Sequence, residues 1–427
     1  MKLIISLLLL FCVVSVELSA QNINGRITSS YYAFERAESE TISNKYLRSY
    51  QNLLLNMNYQ KFSLRTSMSL ENDLLKKFDS DPRLRFFSLY LEGRNIADLF
   101  SFKLGRQSVF HSVASGSFDG LSLNVNKEYF KVSAYFGGNV PAYNKLELTD
   151  QFGKDYVAGT KLNVYPLEGL NLGIGYLQKD FKPEEYSALR LDENNNPYQV
   201  IVSRGSTQFK FMTAEVGYSL DKYFSTDLKF DYDVNFARTH KVEFFGTYSQ
   251  ISDLAINFYY NFREPLIRYN SYFTIFNNIE NTSEIELGAD YKLNKNFTFS
   301  GRYGSVNYSD ETSQRITLGV FSRYASVSYK KNFGYAGELD AISLSSAYTF
   351  FDGLVTPSLS LNYSSYKVSA TAPKNDLLAV STGCNVRPWR ILSFDLLGQF
   401  VNNRIYKNDY RLFFKINYWF NTNLDVL

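Results

Sequence analysis

The sequence contains few of the residues on which disulfides and metal sites depend. Of 427 residues only two are cysteines, Cys12 and Cys384, and only two are histidines, His111 and His240. Because Cys12 lies in a segment that we expect to be removed, the mature chain would keep one thiol and no internal disulfide. A zinc or haem site needs more ligands of this kind. The sequence therefore predicts neither a metal site nor a cofactor.

Long uniform stretches are also absent. After residue 20 no run of roughly 18 apolar residues occurs, so the mature chain is predicted to have no transmembrane helix. The 45 basic and 42 acidic residues are mixed along the chain, and this distribution does not indicate a nucleic-acid partner. Proline is scarce at nine residues, whereas 34 Tyr and 36 Phe favour an extended sheet.

The N-terminus has the layout of a secretory signal peptide. Met1 and Lys2 form a basic start, Leu3–Val16 is an apolar run, and Ser19-Ala20 ends it with small residues. The apolar run is too short for an uncleaved anchor, which needs about 20 residues. We expect cleavage after Ala20, which makes residues 1–20 the signal peptide and residues 21–427 a single mature domain.

From Gln21 onward apolar and polar residues alternate with a period of two, which predicts β-strands with one apolar and one polar face. A clear case is Phe62–Leu70, in which Phe62 and Leu64 alternate with Ser63 and Arg65. The literal count is 22 strands. The count depends on splitting Gln314–Lys331 near Ser322-Arg323, and the split is supported because bacterial barrels favour even numbers of strands. We expect 18–22 strands in all.

The connections between these strands alternate between short turns and long polar loops, which places the long loops at one end of a barrel and the N-terminus in the periplasm. The predicted turns are Asn126-Lys127, Pro166–Gly169, Asp221-Lys222, Asn294–Asn296, Asp352-Gly353 and Arg387-Pro388-Trp389. The predicted loops are roughly 35–44, 73–82, 108–118, 138–154, 180–206, 263–282, 331–338, 367–375 and 402–408.

Tyrosines close many apolar stripes, as expected for rings at a membrane interface. The opposite, polar face would line the lumen, and separate basic and acidic sectors there would orient dipolar solutes. The alternative is a lumen packed with salt bridges and without an open channel. The predicted pore-lining charges are Arg65, Lys103, Lys131, Lys161, Asp227, Asp231, Asp233, Glu243, Glu284, Glu286, Asp290, Arg302, Arg315, Arg411 and Lys415.

Candidate catalytic groups are sparse. His111 is followed by Ser112, with Ser115 and Ser117 in the same predicted loop, but no Gly-x-Ser-x-Gly elbow surrounds these serines. His240 is interpreted as a solvated residue at a loop end. Asp227, Asp231 and Asp233 share one strand face and are candidates for a divalent cation, but a charged lumen wall explains them better. The sequence predicts no catalytic residue.

Two segments resemble porin-like and alginate-export-type barrels. Leu104-Gly105-Arg106-Gln107, followed by Gly116–Leu121, is similar to a strand, loop and strand of that superfamily. The last strand, ending in Tyr418-Trp419-Phe420, resembles the C-terminal signal that the barrel-insertion machinery reads, although Asn421–Leu427 follow it. The resemblance implies that solutes or polymers pass across the outer membrane, and it implies the insertion machinery as a partner.

Together these features predict an all-β chain, with one transmembrane antiparallel β-barrel in the cell outer membrane. The predicted function is a channel for passive diffusion of small hydrophilic solutes, not an enzyme. The alternative is a non-conducting structural or assembly barrel that docks polysaccharide or secreted proteins through its loops. The implied partners are outer-membrane lipid, lipopolysaccharide and, as in many porins, two further copies of the chain in a homotrimer.

Overall fold

The computed structural model describes residues 22–37, 42–77, 82–109, 113, 115–191, 196–204, 207–269, 281–308, 311–334, 338–367, 371–404 and 408–423. Within these ranges almost every element is a strand. No helix in this part of the chain is long and apolar enough to cross a membrane.

Twenty-two strands form one antiparallel sheet in which sequential strands are neighbours, and the first strand pairs with the last. This closure confirms the predicted fold class and the literal strand count. The barrel strands are β1 (Asn22–Ala37), β2 (Ser43–Tyr59), β3 (Phe62–Asp73), β4 (Arg83–Ile96), β5 (Phe100–Val109), β6 (Gly116–Asn126), β7 (Phe130–Asn139), β8 (Tyr156–Leu167), β9 (Leu170–Phe181), β12 (Thr207–Leu220), β13 (Phe224–Asp233), β14 (Arg238–Tyr248), β15 (Leu254–Arg263), β16 (Thr282–Lys292), β17 (Phe297–Tyr308), β18 (Glu311–Ser322), β19 (Ala325–Gly334), β20 (Leu339–Ala347), β21 (Val355–Tyr366), β22 (Asn375–Trp389), β23 (Leu392–Asn402) and β24 (Asp409–Thr422). The two remaining strands, β10 (Glu184–Leu191) and β11 (Pro197–Arg204), pair only with each other.

The seam between β1 and β24 is fastened by side chains as well as by the backbone ladder. Asn22 donates from Nδ2 to Asn421 Oδ1 at 2.6 Å and to Asn423 Oδ1 at 2.7 Å. Further along the seam, the Thr28 hydroxyl donates to Asn417 Oδ1 at 3.0 Å. The two ends of the described chain therefore lie side by side, and the barrel has no unpaired edge.

Short connections lie at one end of the barrel, here called the turn end, and the longer ones lie at the other, the loop end. The predicted split near Ser322-Arg323 is confirmed, because β18 and β19 are joined by Arg323-Tyr324. The predicted turn at Arg387-Pro388-Trp389 is wrong. Strand β22 continues to Trp389, which still pairs with Leu392, so the turn lies at Arg390-Ile391.

Two loop-end predictions also need correction. The predicted loop 180–206 contains the hairpin β10–β11, because its two arms pair in register from Glu184 with Arg204 to Leu191 with Pro197. The connection after β13, residues 234–237, is a tight turn at the loop end that was not predicted as a loop. Long and short connections therefore alternate only approximately.

Exposure identifies which face of the sheet is the inside. On β12, Met212 is 54% exposed, whereas its neighbour Thr213 is 8% exposed. Side chains converge on the concave face of a barrel and diverge on the convex face, so the crowded polar face is the interior. Outward-facing residues such as Ile174 and Leu287 are largely apolar and well exposed. This arrangement is expected for an outer surface in contact with hydrocarbon.

Candidate functional site

Predicted pore-lining residues of the first half of the chain lie on the inner face. Arg65 contacts Glu92 at 3.0 Å, and Lys161 contacts Glu215 at 2.7 Å. Two other lysines of this sector lie over aromatic rings, with Lys103 5.2 Å from the Tyr90 centroid and Lys131 5.1 Å from that of Tyr165. The predicted basic sector is therefore interleaved with carboxylates and rings.

The acidic residues of β16 are compensated from β17 and β18. Arg315 donates to both Glu284 and Glu286, the latter at 2.5 Å. Arg302 lies 3.9 Å from Glu286 and 3.8 Å from Asp290. The five side chains form one network of positive and negative charges on the inner wall. The sequence could not reveal this network, because it depends on the register in which the neighbouring strands pair.

The three aspartates of β13 differ in their surroundings. Asp233 caps the turn after its strand, where its Oδ1 accepts from the Asn235 and Phe236 backbone N–H groups at 2.9 and 3.1 Å. Asp231 is 1% exposed, whereas Asp227 is open to the interior. Among the described residues no group of three or more His, Cys, Asp or Glu side chains could hold a metal ion.

The other predicted charges also have partners. On β14, Glu243 accepts from Lys241 at 2.7 Å and from the Tyr259 hydroxyl at 3.2 Å. Near the seam, Lys415 contacts Asp395 at 3.1 Å and Arg411 contacts Asp409 at 2.7 Å. That the fifteen predicted residues line a conducting pore stays a prediction.

Sequence reasoning missed an ion pair of the inner wall near the loop end. Arg85 contacts Glu71 at 2.8 Å, and Glu71 is only 5% exposed. In the sequence both residues lie beside predicted loops, which made them resemble solvated charges. Only the pairing of β3 with β4 brings the two residues together, so the sequence offered no local signal for the pair.

A buried apolar cluster occupies the interior near the loop end. It comprises Val109, Phe118, Val157, Leu177, Phe209 and Phe211, with Tyr135, Phe181 and Val113 packed against it. Leu177 and Phe211 are fully buried although they face the lumen. At this end the wall is therefore covered by packed side chains.

His240 is buried against Phe211 of this cluster, which corrects its interpretation as a solvated residue. It is 7% exposed, and its ring centroid lies 5.0 Å from that of Phe211. The reason is local. The pairing of β13 with β14 shifts between Asp231 and Tyr232, and the irregularity leaves His240 outside the regular pairing.

The segments that carried the porin resemblance form an anchor. Arg106 and Asp119 lie directly opposite each other on β5 and β6 and form a two-pronged ion pair, with both N–O distances at 2.8 Å. Gly105 and Gly120 are also opposite, and Gly105 has a φ of 124°. A Cβ on Gly120 would lie 2.1 Å from the Phe136 carbonyl oxygen, so only glycine fits.

Arg106 holds the segment that joins β7 to β8, residues 140–155. Its Nη1 donates to the carbonyls of Asn144 at 3.0 Å and Lys145 at 2.7 Å, and its Nη2 donates to that of Glu147 at 3.3 Å. The ring of Tyr143 lies beneath the guanidinium of Arg85, with 5.6 Å from its centroid to Cζ. The segment therefore reaches from β7 to the inner face of β4.

The candidate catalytic residues do not form a site in the described structure. His111 and Ser112 lie outside the described residues. Ser115 is exposed, and Ser117 lies in β6 instead of the predicted loop.

No known protein family matches the sequence, and no curated protein matches it. Among solved structures, a mutant of the ferric enterobactin receptor PfeA from Pseudomonas aeruginosa is similar over 94% of this chain and 81% of its own, with a TM-score of 0.57 and 8% identity. The translocation pore of the P pilus usher PapC is similar over 93% and 99%, with a TM-score of 0.48 and 8% identity. OccAB4 of Acinetobacter baumannii is similar over 94% and 98%, with a TM-score of 0.43 and 10% identity. At these identities the similarity to the receptor shows a shared fold.

The closed antiparallel wall, the apolar outer face and the polar inner face define the class of this protein. In hydrocarbon every backbone group needs an internal partner, and a closed barrel provides one for each strand. The described chain is a closed antiparallel β-barrel of 22 strands with the outer face expected of a barrel that spans a membrane, and it shares its fold with the receptor.

Proposed function

We propose that the protein is a channel for passive diffusion of small hydrophilic solutes. The observation that carries the proposal is the closed wall of 22 strands with a polar and charged inner face. A barrel with this many strands encloses a wide lumen unless loops or a plug occupy it. A wall lined with charges and hydroxyls favours water in that lumen.

The pairing of the charges limits the selectivity that we expect. Networks such as that of Arg315 with Glu284 and Glu286 leave little net charge on the wall. Mixed charges retain local dipoles, which orient polar solutes without excluding either sign of ion. We therefore expect weak ion selectivity. Separate basic and acidic sectors would produce a stronger electric field across the lumen.

Planar-bilayer recording tests the proposal. The purified, folded barrel should give discrete conductance steps, and permeation should fall as the size of neutral solutes increases. Protein that has been denatured by heat serves as the control. Correctly folded barrel that gives no conductance under these conditions would contradict the channel function and favour a filled lumen.

A second candidate function is docking at the loop end, and the hairpin β10–β11 favours it. Leu189 is 73% exposed and Ile201 75% exposed, and both lie beyond the barrel strands. Apolar side chains so exposed on a projecting hairpin are typical of contact surfaces. Deletion of 184–204 separates the two functions. A channel should keep its conductance, whereas a docking barrel should lose its partner.

The remaining expectations belong to the same proposal. Residues 1–20 act as a signal peptide, and N-terminal sequencing of the outer-membrane form should begin at Gln21. The terminal strand β24 is the contact for the insertion machinery, and lipid and lipopolysaccharide surround the barrel. The protein is not an enzyme, and it assembles as a homotrimer, which cross-linking in intact membranes would test.

A further inference from the structure

A cavity of about 730 Å³ lies in the barrel wall near the loop end, where β1 meets β24. It is here called the seam cavity. Its lining comes from β1, β2, β22, β23 and β24, together with Leu75. The volume is in the range of small-molecule sites.

The backbone ladder between β1 and β24 ends at this cavity. The two strands pair as far as Ala33 with Leu412. Beyond that point their described residues form no pair with each other, although β1 continues to Ala37 and β24 begins at Asp409. Each strand stays paired with its other neighbour there. The two hairpins therefore diverge at the loop end and leave a notch in the wall.

The lining includes residues of both faces of the wall. Tyr410 and Leu412 belong to the outer face, and they are 68% and 51% exposed. Phe34 and Arg411 alternate with outward-facing residues and therefore belong to the inner face. The Phe34 ring stacks on that of Tyr46 with 5.1 Å between the centroids. The seam cavity thus opens on the outer face and extends to residues of the inner face.

Small outward-facing residues make room for the seam cavity. Ala33, Gly398 and Thr382 lie in one row across the wall. Apart from its chain neighbours, a Cβ on Gly398 would have no atom closer than 4.0 Å, so the space above this glycine is open. The rings of Phe400 and Tyr410, with 5.2 Å between their centroids, contribute an aromatic side to the cavity. The part of the cavity on the outer face is therefore an apolar hollow.

Charged groups of both signs border this hollow on the side of the loop end. Glu35 and Lys45 lie opposite each other on β1 and β2, beyond the last pair of the seam, and both line the cavity. Because the outer face is expected to contact hydrocarbon, an occupant enters from the membrane. An empty hollow deprives its lining of dispersion contacts, which an alkyl chain would restore. A positive and a negative side chain at the rim complement a zwitterionic head group.

We propose that the seam cavity binds a single-chain zwitterionic amphiphile of the lysophospholipid type, with its alkyl chain over Gly398 and its head group near Glu35 and Lys45. One chain matches a cavity of this volume, whereas a lipid with two or more chains could place only part of its apolar surface there. The inference goes beyond the proposed function, because binding at the outer face does not require the barrel to conduct.

Quenching of tryptophan fluorescence tests the inference with the full-length barrel in nanodiscs of phosphatidylcholine. The two native tryptophans, Trp389 and Trp419, lie at the turn end, so Tyr410→Trp adds a reporter at the cavity. Tyr260→Trp is the matched reporter on the outer face of β15. The probe is lysophosphatidylcholine with a brominated stearoyl chain, and its counterpart is phosphatidylcholine with the same head group, the same brominated chain and a second chain.

The single-chain probe should half-quench the Tyr410→Trp reporter at a mole fraction about tenfold below that needed for Tyr260→Trp, since roughly ten restored contacts between carbon atoms correspond to such a preference. The two-chain lipid should quench both reporters alike. The gel shift between heated and unheated samples verifies that each variant is folded.

Filling the cavity should abolish the preference. Gly398→Leu, combined with Tyr410→Trp, should raise the half-quenching mole fraction of the single-chain probe to the value for Tyr260→Trp. Gly301→Leu in the same background is the matched control, because Gly301 also lies on the outer face, and a Cβ there would meet Leu318 at 3.9 Å. This control should leave the quenching of the Tyr410→Trp reporter unchanged.

The inference is overturned if the single-chain probe quenches both reporters alike, if Gly398→Leu behaves like Gly301→Leu, or if the two-chain lipid shows the same preference for the cavity. Absence of any quenching of Tyr260→Trp by the two-chain lipid would show that the outer face does not contact hydrocarbon, and the inference would fail with that assignment. Conductance, recorded separately, bears only on the channel.

Discussion

Removal of the Arg106 side chain should release the segment 140–155 from the barrel. Arg106 is 2% exposed and Asp119 8% exposed, so Arg106→Ala leaves a buried carboxylate without its ion-pair partner. Breaking a buried pair in this way costs about 3–5 kcal/mol. The three carbonyls of the segment lose their donor at the same time. Even 3 kcal/mol corresponds to about a hundredfold rise in the opened population.

Trypsin cleavage after the exposed Lys145 reports this opening, because the cleavage rate follows the opened population when closing is fast. We expect Arg106→Ala to be cleaved about a hundred times faster than the parent. Arg106→Ala combined with Asp119→Ala should recover part of the loss, since no orphan carboxylate remains. Lys61→Ala, which breaks an exposed pair with Asp98 at 3.4 Å, is the control and should leave cleavage unchanged. Equal cleavage of the Arg106 variant and the parent would refute the anchor.

Three further predictions concern the wall and the leader. Leu318→Arg, on the outer face, should destabilise the folded barrel in lipid by about 2–4 kcal/mol, whereas Ser328→Arg on the inner face of the next strand should cost much less. Urea titration in liposomes measures the free energy of unfolding of both variants, and equal losses would contradict the assignment of faces. Phe211→Ala should lower the free energy of unfolding by about 3–5 kcal/mol in the same titration, whereas Met212→Ala, at a residue that faces outward, should have a small effect. A small loss for Phe211→Ala would argue against a packed cluster. Replacement of Ala20 by a bulky residue should slow processing of the precursor, which gel mobility reveals, and unchanged processing would place the cleavage site elsewhere.

Strands could be predicted because their signal is local. The alternation of Phe62 and Leu64 with Ser63 and Arg65 depends only on neighbouring residues, and it corresponds to β3. Closure of the barrel leaves no local signal in the sequence. It could still be inferred, because an even number of amphipathic strands, without another apolar surface to cover them, fits few folds other than a closed barrel. The count of 22 was therefore accessible from the sequence.

Contacts across strands were not accessible, because they depend on register. Arg65 and Glu92 were separate charges in the sequence, and only the pairing of β3 with β4 brings them together. His240 was misjudged for a related reason, since a single irregularity between β13 and β14 decides its position. The hairpin β10–β11 was overlooked because the polar tract around Asn196 dominated its composition.

The side-by-side position of Asn22 and Asn423 has a consequence for the connectivity of the chain. Because the ladder is continuous around the circumference, its hydrogen bonds do not depend on where the polypeptide is interrupted. A short linker between these two positions, combined with a cut at any hairpin of the turn end, would give a circular permutant with the same strand neighbours. The order in which the strands are synthesised could therefore be changed without changing which strands are neighbours in the barrel.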